Sequence, residues 1–540
     1  MEDRAFNCPR RTPGGLWSLF AIVGAVLAAP APAHGFTGGA SAARPVRGPP
    51  TEAQPEPSDD GPFDVETVVG QARALARAPY VPPSTSLPPP LATLDYDQYR
   101  DIRFDPAATI WAHPSRRFGL QLFSLGYLFT TPVEVSIVKD GRAQHLAYRT
   151  DMFTVGKLVP APLPTQDVGF AGIRLVYPIN DRRRLDEVAV FQGASYFRSL
   201  GRDQVYGLSS RGLALKVGDP TGEEFPRFRA FWVEEPKPRS TTVTVHALLD
   251  SPSVAGAYRF VIRPGNDTIM RVDAVLFPRV ELKEVGLAPG TSMFMFAASD
   301  RSGVDDFRPQ IHDSDGLLMV NGRGEHLWRP LANPVKLQMS AFADLNPRGF
   351  GLVQRDRDPA AYQDFEAHFE RRPTLWVEPV GDWADGDVIL TEIPTDAEIH
   401  DNIVAFWRPR KPIAAGSEFR VSYTLAWGGE PDVALDRLRV VATAVGRADV
   451  RAPTPVRRFV VDYSPGARGC SAGCAPPTAT VTASGGKVGD VVVSDNPLTH
   501  GYRVSFTLDP EKAELCELRM ELKFDDSRCA EVWLYRWTKR

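Results

Sequence analysis

From Phe118 onward, apolar and polar positions alternate or run apolar over five to eight residues, with turn residues between the runs. The stretches Phe118–Phe123, Val133–Val138, Thr242–Leu249 and Tyr258–Ile262 have this form, and Pro264-Gly265-Asn266-Asp267 is a turn between such runs. Strand after strand without intervening helices predicts antiparallel sheets packed as large sandwiches. Two stretches have helical spacing instead. Asp64 is a candidate N-cap before an apolar face of Val65, Val68, Val69, Ala72, Leu75 and Ala76, and Pro79, Pro82 and Pro83 close that helix. Ala360 to Phe369 has the second helical period. No internal repeat is visible.

The ends of the chain read differently. Arg10-Arg11, the apolar run Leu16–Ala29 and then Ala31-Pro32-Ala33 have the order of a secretory leader, cleaved near Ala33. The run is too short for a hydrocarbon core, which takes about 20 residues. The paired arginines suit the twin-arginine route, whereas Thr12-Pro13-Gly14 departs from it, so both export routes stay open. Residues 34–62 are rich in Pro, Gly, Ala and acidic residues and read as a flexible tether. The remainder is too long for one core. Gly428-Gly429-Glu430-Pro431 marks a boundary between a large domain, 63–428, and a smaller one, 432–540. The smaller has the length of one immunoglobulin-like sandwich, with strands at Arg457–Asp462 and Tyr502–Leu508.

Charge adds an exclusion. With 62 basic and 66 acidic residues the net charge is −4, so bulk electrostatics draws in neither nucleic acid nor an anionic membrane. Apart from Cys8, the cysteines (Cys470, Cys474, Cys516 and Cys529) lie near the C-terminus. In an exported chain they read as two disulfides with three pairings open; their spacing fits no common zinc site. Neither a metal nor a cofactor is expected.

HExxH, Walker and GxSxG signatures are missing. Four stretches instead combine carboxylates, arginines and aromatics. They hold Tyr196, Arg198, Tyr206 and Arg211; His312 and Asp313; Tyr362, Arg372 and Trp376; and Glu398, Asp401, Asn402 and Trp407. Rings stack on the C–H faces of a sugar and charged groups bond its hydroxyls, so these residues are candidate sugar contacts. Each also has a plainer reading. Asp313-Ser314-Asp315-Gly316 fits a turn, Trp376 and Trp407 fit a core, and a structural hydrogen bond explains His312 and His400 as well as catalysis does.

In this order the stretches resemble the periplasmic glucan biosynthesis proteins G and D. The resemblance includes Leu94-Asp-Tyr-Asp-Gln-Tyr-Arg-Asp-Ile-Arg-Phe104, Gly169-Phe-Ala-Gly172, Tyr177-Pro-Ile-Asn180 and Leu248-Leu-Asp-Ser-Pro252. It covers nearly all of the large domain and fades over the last hundred residues. It implies an all-β chain, a large galactose-mutarotase-like sandwich followed by an immunoglobulin-like one, in the periplasm. It also implies β-1,2-glucan as substrate and an anomer-inverting endo-β-1,2-glucanase. Asp401 would be general acid, with its pKa raised by burial or by a nearby carboxylate such as Glu398, Asp313 general base through a proton relay, and Glu398 a third active-site carboxylate. A transglycosylase shares all these residues. A non-catalytic binder serving a membrane glucan glucosyltransferase would need the aromatics but no proton donor. A homodimer is compatible with the resemblance. The paired arginines tip the chain towards type D. His400, where asparagine is expected, and the Cys470/Cys474 insertion depart from the family pattern.

Overall fold

The computed structural model describes residues 61–113, 115–160, 162–434, 437–451, 454–466, 477–524 and 529–539. The leader, most of the tether, Cys470 and Cys474 lie outside them.

Two large sheets, of ten and fourteen strands, dominate the fold. Their facing side chains share one core. Leu120, Ile173, Phe191 and Trp407 come from the first sheet, and Val245, Phe260, Val272 and Leu425 from the second. The expected strands form as Gly119–Phe123, Glu134–Lys139, Val243–Asp250 and Val254–Arg263, so two-residue alternation did select strands. Pairing is antiparallel with two exceptions among the described strand pairs. Glu134–Lys139 runs parallel to Arg227–Glu234, and His326–Pro330 runs parallel to Val532–Thr538.

The helix Val65–Arg77 starts where expected. Asp64 accepts a hydrogen bond from the Thr67 backbone N–H at 2.9 Å, and the Asp64 N–H donates back to the Thr67 hydroxyl at 3.2 Å. Val68, Val69 and Ala72 then pack on Trp232, Leu248, Ala257 and Val275 at the back of the fourteen-stranded sheet. The second expected helix does not extend from Ala360 to Phe369. Only Pro359–Tyr362 is α-helical, with a single 3-10 turn following at Phe369–Arg371, because Gln363 and His368 take left-handed backbone angles, φ 57° and 50°, that stop it.

Beyond Gly428 come a four-stranded sheet and a second layer of three strands, Thr478–Ala483, Leu515–Lys523 and Val532–Thr538. That second layer is no separate sheet. Through Leu327↔Val532 and Trp328↔Trp533 it continues the fourteen-stranded sheet of the large domain. Trp328 and Trp376 share a core with Phe459, Phe506 and Trp533. Arg355 crosses the junction, its guanidinium 3.6 Å from the Trp328 ring centroid and 2.6 Å from the buried Glu531 carboxylate. The expectation of two disulfides needs correcting, since Cys516 is buried with a free thiol. Its strand directs it into the C-terminal core, where it packs as a small apolar side chain. Cys529 is disulfide-bonded.

Candidate active site

Strand register assembles the first half of the site. Tyr196–Ser199 pairs with Ser209–Arg211, placing Tyr196 opposite Arg211. Alternation then puts Tyr196, Arg198, Ser209 and Arg211 on one face, while Phe197 points into the core. The Arg211 guanidinium lies 4.9 Å from the Tyr196 ring centroid and bonds Thr291 at 3.1 Å and Glu223. Val285–Ser292 lies beside Ser209–Arg211 and next to Ile403–Pro409, so Asp401 reaches this face just before its strand begins.

Asp401 accepts a hydrogen bond from the Ser209 hydroxyl at 3.3 Å and lies 3.5 Å from the Arg198 guanidinium. Its side chain is 4 % exposed. Burial raises its pKa, and the nearby charge of Asp313 adds to the rise; Arg198, Arg211 and the Ser209 hydroxyl pull the other way. The net effect favours the protonated carboxyl.

Asp313 follows the short strand Ile311–His312, which pairs with Phe294–Phe296. Arg372 donates to its Oδ1, and Oδ2 is buried without a protein hydrogen-bond partner among the described residues. Arg372 is fixed from two further sides. Its guanidinium lies 4.2 Å from the Phe369 ring centroid and donates to the Ala367 carbonyl at 3.3 Å. Gly207 makes room for it, since a Cβ there would lie 2.9 Å from Arg372 Cβ.

Glu398 stands three residues before the acid. It is 44 % exposed and accepts a hydrogen bond from Arg308 at 3.2 Å. The same guanidinium bonds Asp306 and Asp364, each at 2.9 Å, joining three loops. The carboxylate that raises the Asp401 pKa is Asp313. Arg308 has no signal in the sequence beyond its neighbour Asp306, because Asp364 and Glu398 are far away along the chain.

Five expected sugar contacts are packed inside. Trp407 is 0 % and Trp376 2 % exposed; Trp407 lies beside Trp383 in the main core, Trp376 in the junction with the C-terminal layers. Neither can stack on a sugar without leaving its core. His312 is enclosed by Phe294 and Tyr362 and bonded to Gln354 at 3.0 Å, and the Tyr362 hydroxyl donates to the Asp356 carbonyl at 3.0 Å. Asn402 accepts from the Phe294 N–H and donates to the Phe294 and Ile393 carbonyls, so its amide is committed to backbone. These residues hold the carboxylate loops from behind. Tyr206 is half-buried against the main core, and burial first, then Glu187, raises its pKa well above the usual range.

The description "Periplasmic glucan biosynthesis protein, MdoG" matches residues 63–537. A Vibrio cholerae protein named Glucans biosynthesis protein G is 56 % identical over 479 residues, covering 88 % of this chain and 87 % of its own. One of the same name from Shewanella frigidimarina is 57 % identical over 476 residues, covering 88 % and 85 %. Both names are of type G, which gives the type D expectation no support.

Proposed function

We propose that this chain, which belongs to the MdoG family of periplasmic glucan biosynthesis proteins, cleaves β-1,2-glucan internally with inversion at the anomeric carbon. The family's name supports a periplasmic location. One observation carries the catalytic reading. A buried carboxyl whose pKa is raised, Asp401, feels the charge of a second buried carboxylate, Asp313, which is paired with an arginine. Two carboxyl groups in unlike environments are what an acid–base pair for glycoside cleavage needs.

In this reading Asp401 gives its proton to the leaving glycosidic oxygen as the bond to the anomeric carbon breaks. Water attacks that carbon from the opposite face, and its proton passes to Asp313. The Asp313 side chain is only 1 % exposed, so the proton arrives through an intervening hydroxyl or water rather than by direct contact with bulk solvent. Oδ2, the oxygen not bonded by Arg372, is the natural acceptor. Tyr196 and Arg198 flank the acid and are the named aromatic and cationic contacts still placed to meet sugar.

Incubation of the mature chain with linear β-1,2-glucan, followed by chromatography of the products, tests this. Shorter chains of inverted anomeric configuration are expected. Rearranged chains of unchanged mean length would make the protein a transglycosylase, and unaltered chains a binder.

A further inference from the structure

One cavity adjoins the loop that carries Asp401 and a second lies beyond it, and neither is lined by Asp401 or Asp313. The first, about 570 Å³, is lined by Thr395, Asp396 and His400, the residue before the acid, together with Asp300, Ser302 and Pro334. The second, about 320 Å³, lies between the large domain and the C-terminal layers, and includes Trp537, Arg536, Arg457 and Gln338. Asp300, Ser302 and Pro334 line both. The cavities therefore form one groove, which leads from the acid's loop onto the last strand of the chain.

The groove has a built wall. Tyr535 donates its hydroxyl to the Ser299 carbonyl at 3.0 Å, and the Val445 N–H donates to the Ala298 carbonyl at 3.2 Å. Arg301 fastens the same segment onward by donating to the carbonyls of Asp306, Arg308 and Pro309. Two of the groove's cations are paired with carboxylates within the protein. Arg536 bonds Glu517 and Lys539 bonds Glu514. A lining of hydroxyls, amides and paired charges around a half-buried indole suits an uncharged polyhydroxyl chain better than an anion.

We propose that this groove is a second glucan-binding surface, on which the C-terminal layers hold the part of a long β-1,2-glucan distal to the cleavage point. It rests on the β-1,2-glucan reading above. A chain engaged at both places gains affinity from length, because the second contact is intramolecular. Short oligosaccharides fill the carboxylate site alone.

The test compares KM for long linear β-1,2-glucan with KM for a short β-1,2-oligosaccharide, in the full mature protein and in Trp537→Ala and Arg457→Gln. The ratio of long-chain to short-chain KM should rise about tenfold, the loss of one stacked or charge-assisted contact. Trp537 also packs on the C-terminal core, so Ser302→Trp, which obstructs the shared wall from an exposed position, provides an independent block with the same expected ratio. An unchanged ratio in both Arg457→Gln and Ser302→Trp overturns the proposal while leaving the catalytic reading intact. A wild-type protein that neither binds the long glucan in calorimetry nor cleaves it overturns both.

Discussion

Arg372 donates to one oxygen of the Asp313 carboxylate, and the other oxygen is buried with no protein partner among the described residues. One oxygen is thereby held in place and the other is left to take a proton. Removal of the arginine leaves a buried, unpaired charge. Arg372→Ala should destabilise the fold by about 3–5 kcal/mol and reduce cleavage of β-1,2-glucan by orders of magnitude. Arg372→Lys should restore part of the stability but little activity, since an ammonium cannot reproduce the guanidinium's bonds to Asp313 and Ala367. Thermal unfolding and initial rates measured together check both points.

Asp401 has a raised pKa, so its protonated form is favoured in the folded protein relative to the unfolded one. The stability this gives is present below the unfolded pKa and is lost as pH rises through the folded value. Asp401→Asn mimics the neutral carboxyl. Its melting temperature should therefore gain on wild type as pH rises through that range, while cleavage is abolished. Wild-type kcat should fall over the same range as the acid loses its proton. A melting difference independent of pH would contradict the burial argument.

Arg308 joins Asp306, Asp364 and Glu398 from three loops around the acid. Glu398→Gln removes one partly exposed ion pair, and its effect on stability should stay below about 1 kcal/mol. Arg308→Ala frees all three loops. It should raise KM for β-1,2-glucan about tenfold or more, because small displacements of positioning groups are costly to catalysis. Steady-state kinetics on both variants separates a local ion pair from a loop fastener.

Arg355 and Glu531 form a buried pair where the C-terminal layers meet the large domain. Glu531→Gln leaves the guanidinium with Glu430 as its charged partner, at 2.9 Å. A loss of about 1.5–3 kcal/mol is expected, because Glu430 still neutralises the guanidinium. The continuous sheet predicts that denaturant unfolds both parts in a single transition in the wild type. Two separated transitions, followed by tryptophan fluorescence, would count against that coupling.

Much of this protein is determined locally. Alternation of apolar and polar residues selected strands such as Val243–Asp250, because side-chain direction along a strand has a period of two whatever surrounds it. Asp64 and Thr67 set the start of the first helix for the same reason, since the partners are three residues apart. The order of carboxylate, arginine and aromatic words pointed to Asp313, Arg372 and Asp401. The tertiary structure decided which of those words meet. Burial depends on what packs across the sheet, so sequence could not tell that Trp376, Trp407, Tyr362 and His312 face cores while Tyr196 and Arg198 flank the acid. Nor could it show that Glu398 belongs to Arg308, or that a parallel pairing of Trp328 with Trp533 makes two expected domains share one sheet. Such pairings join residues far apart along the chain, and no local periodicity encodes them.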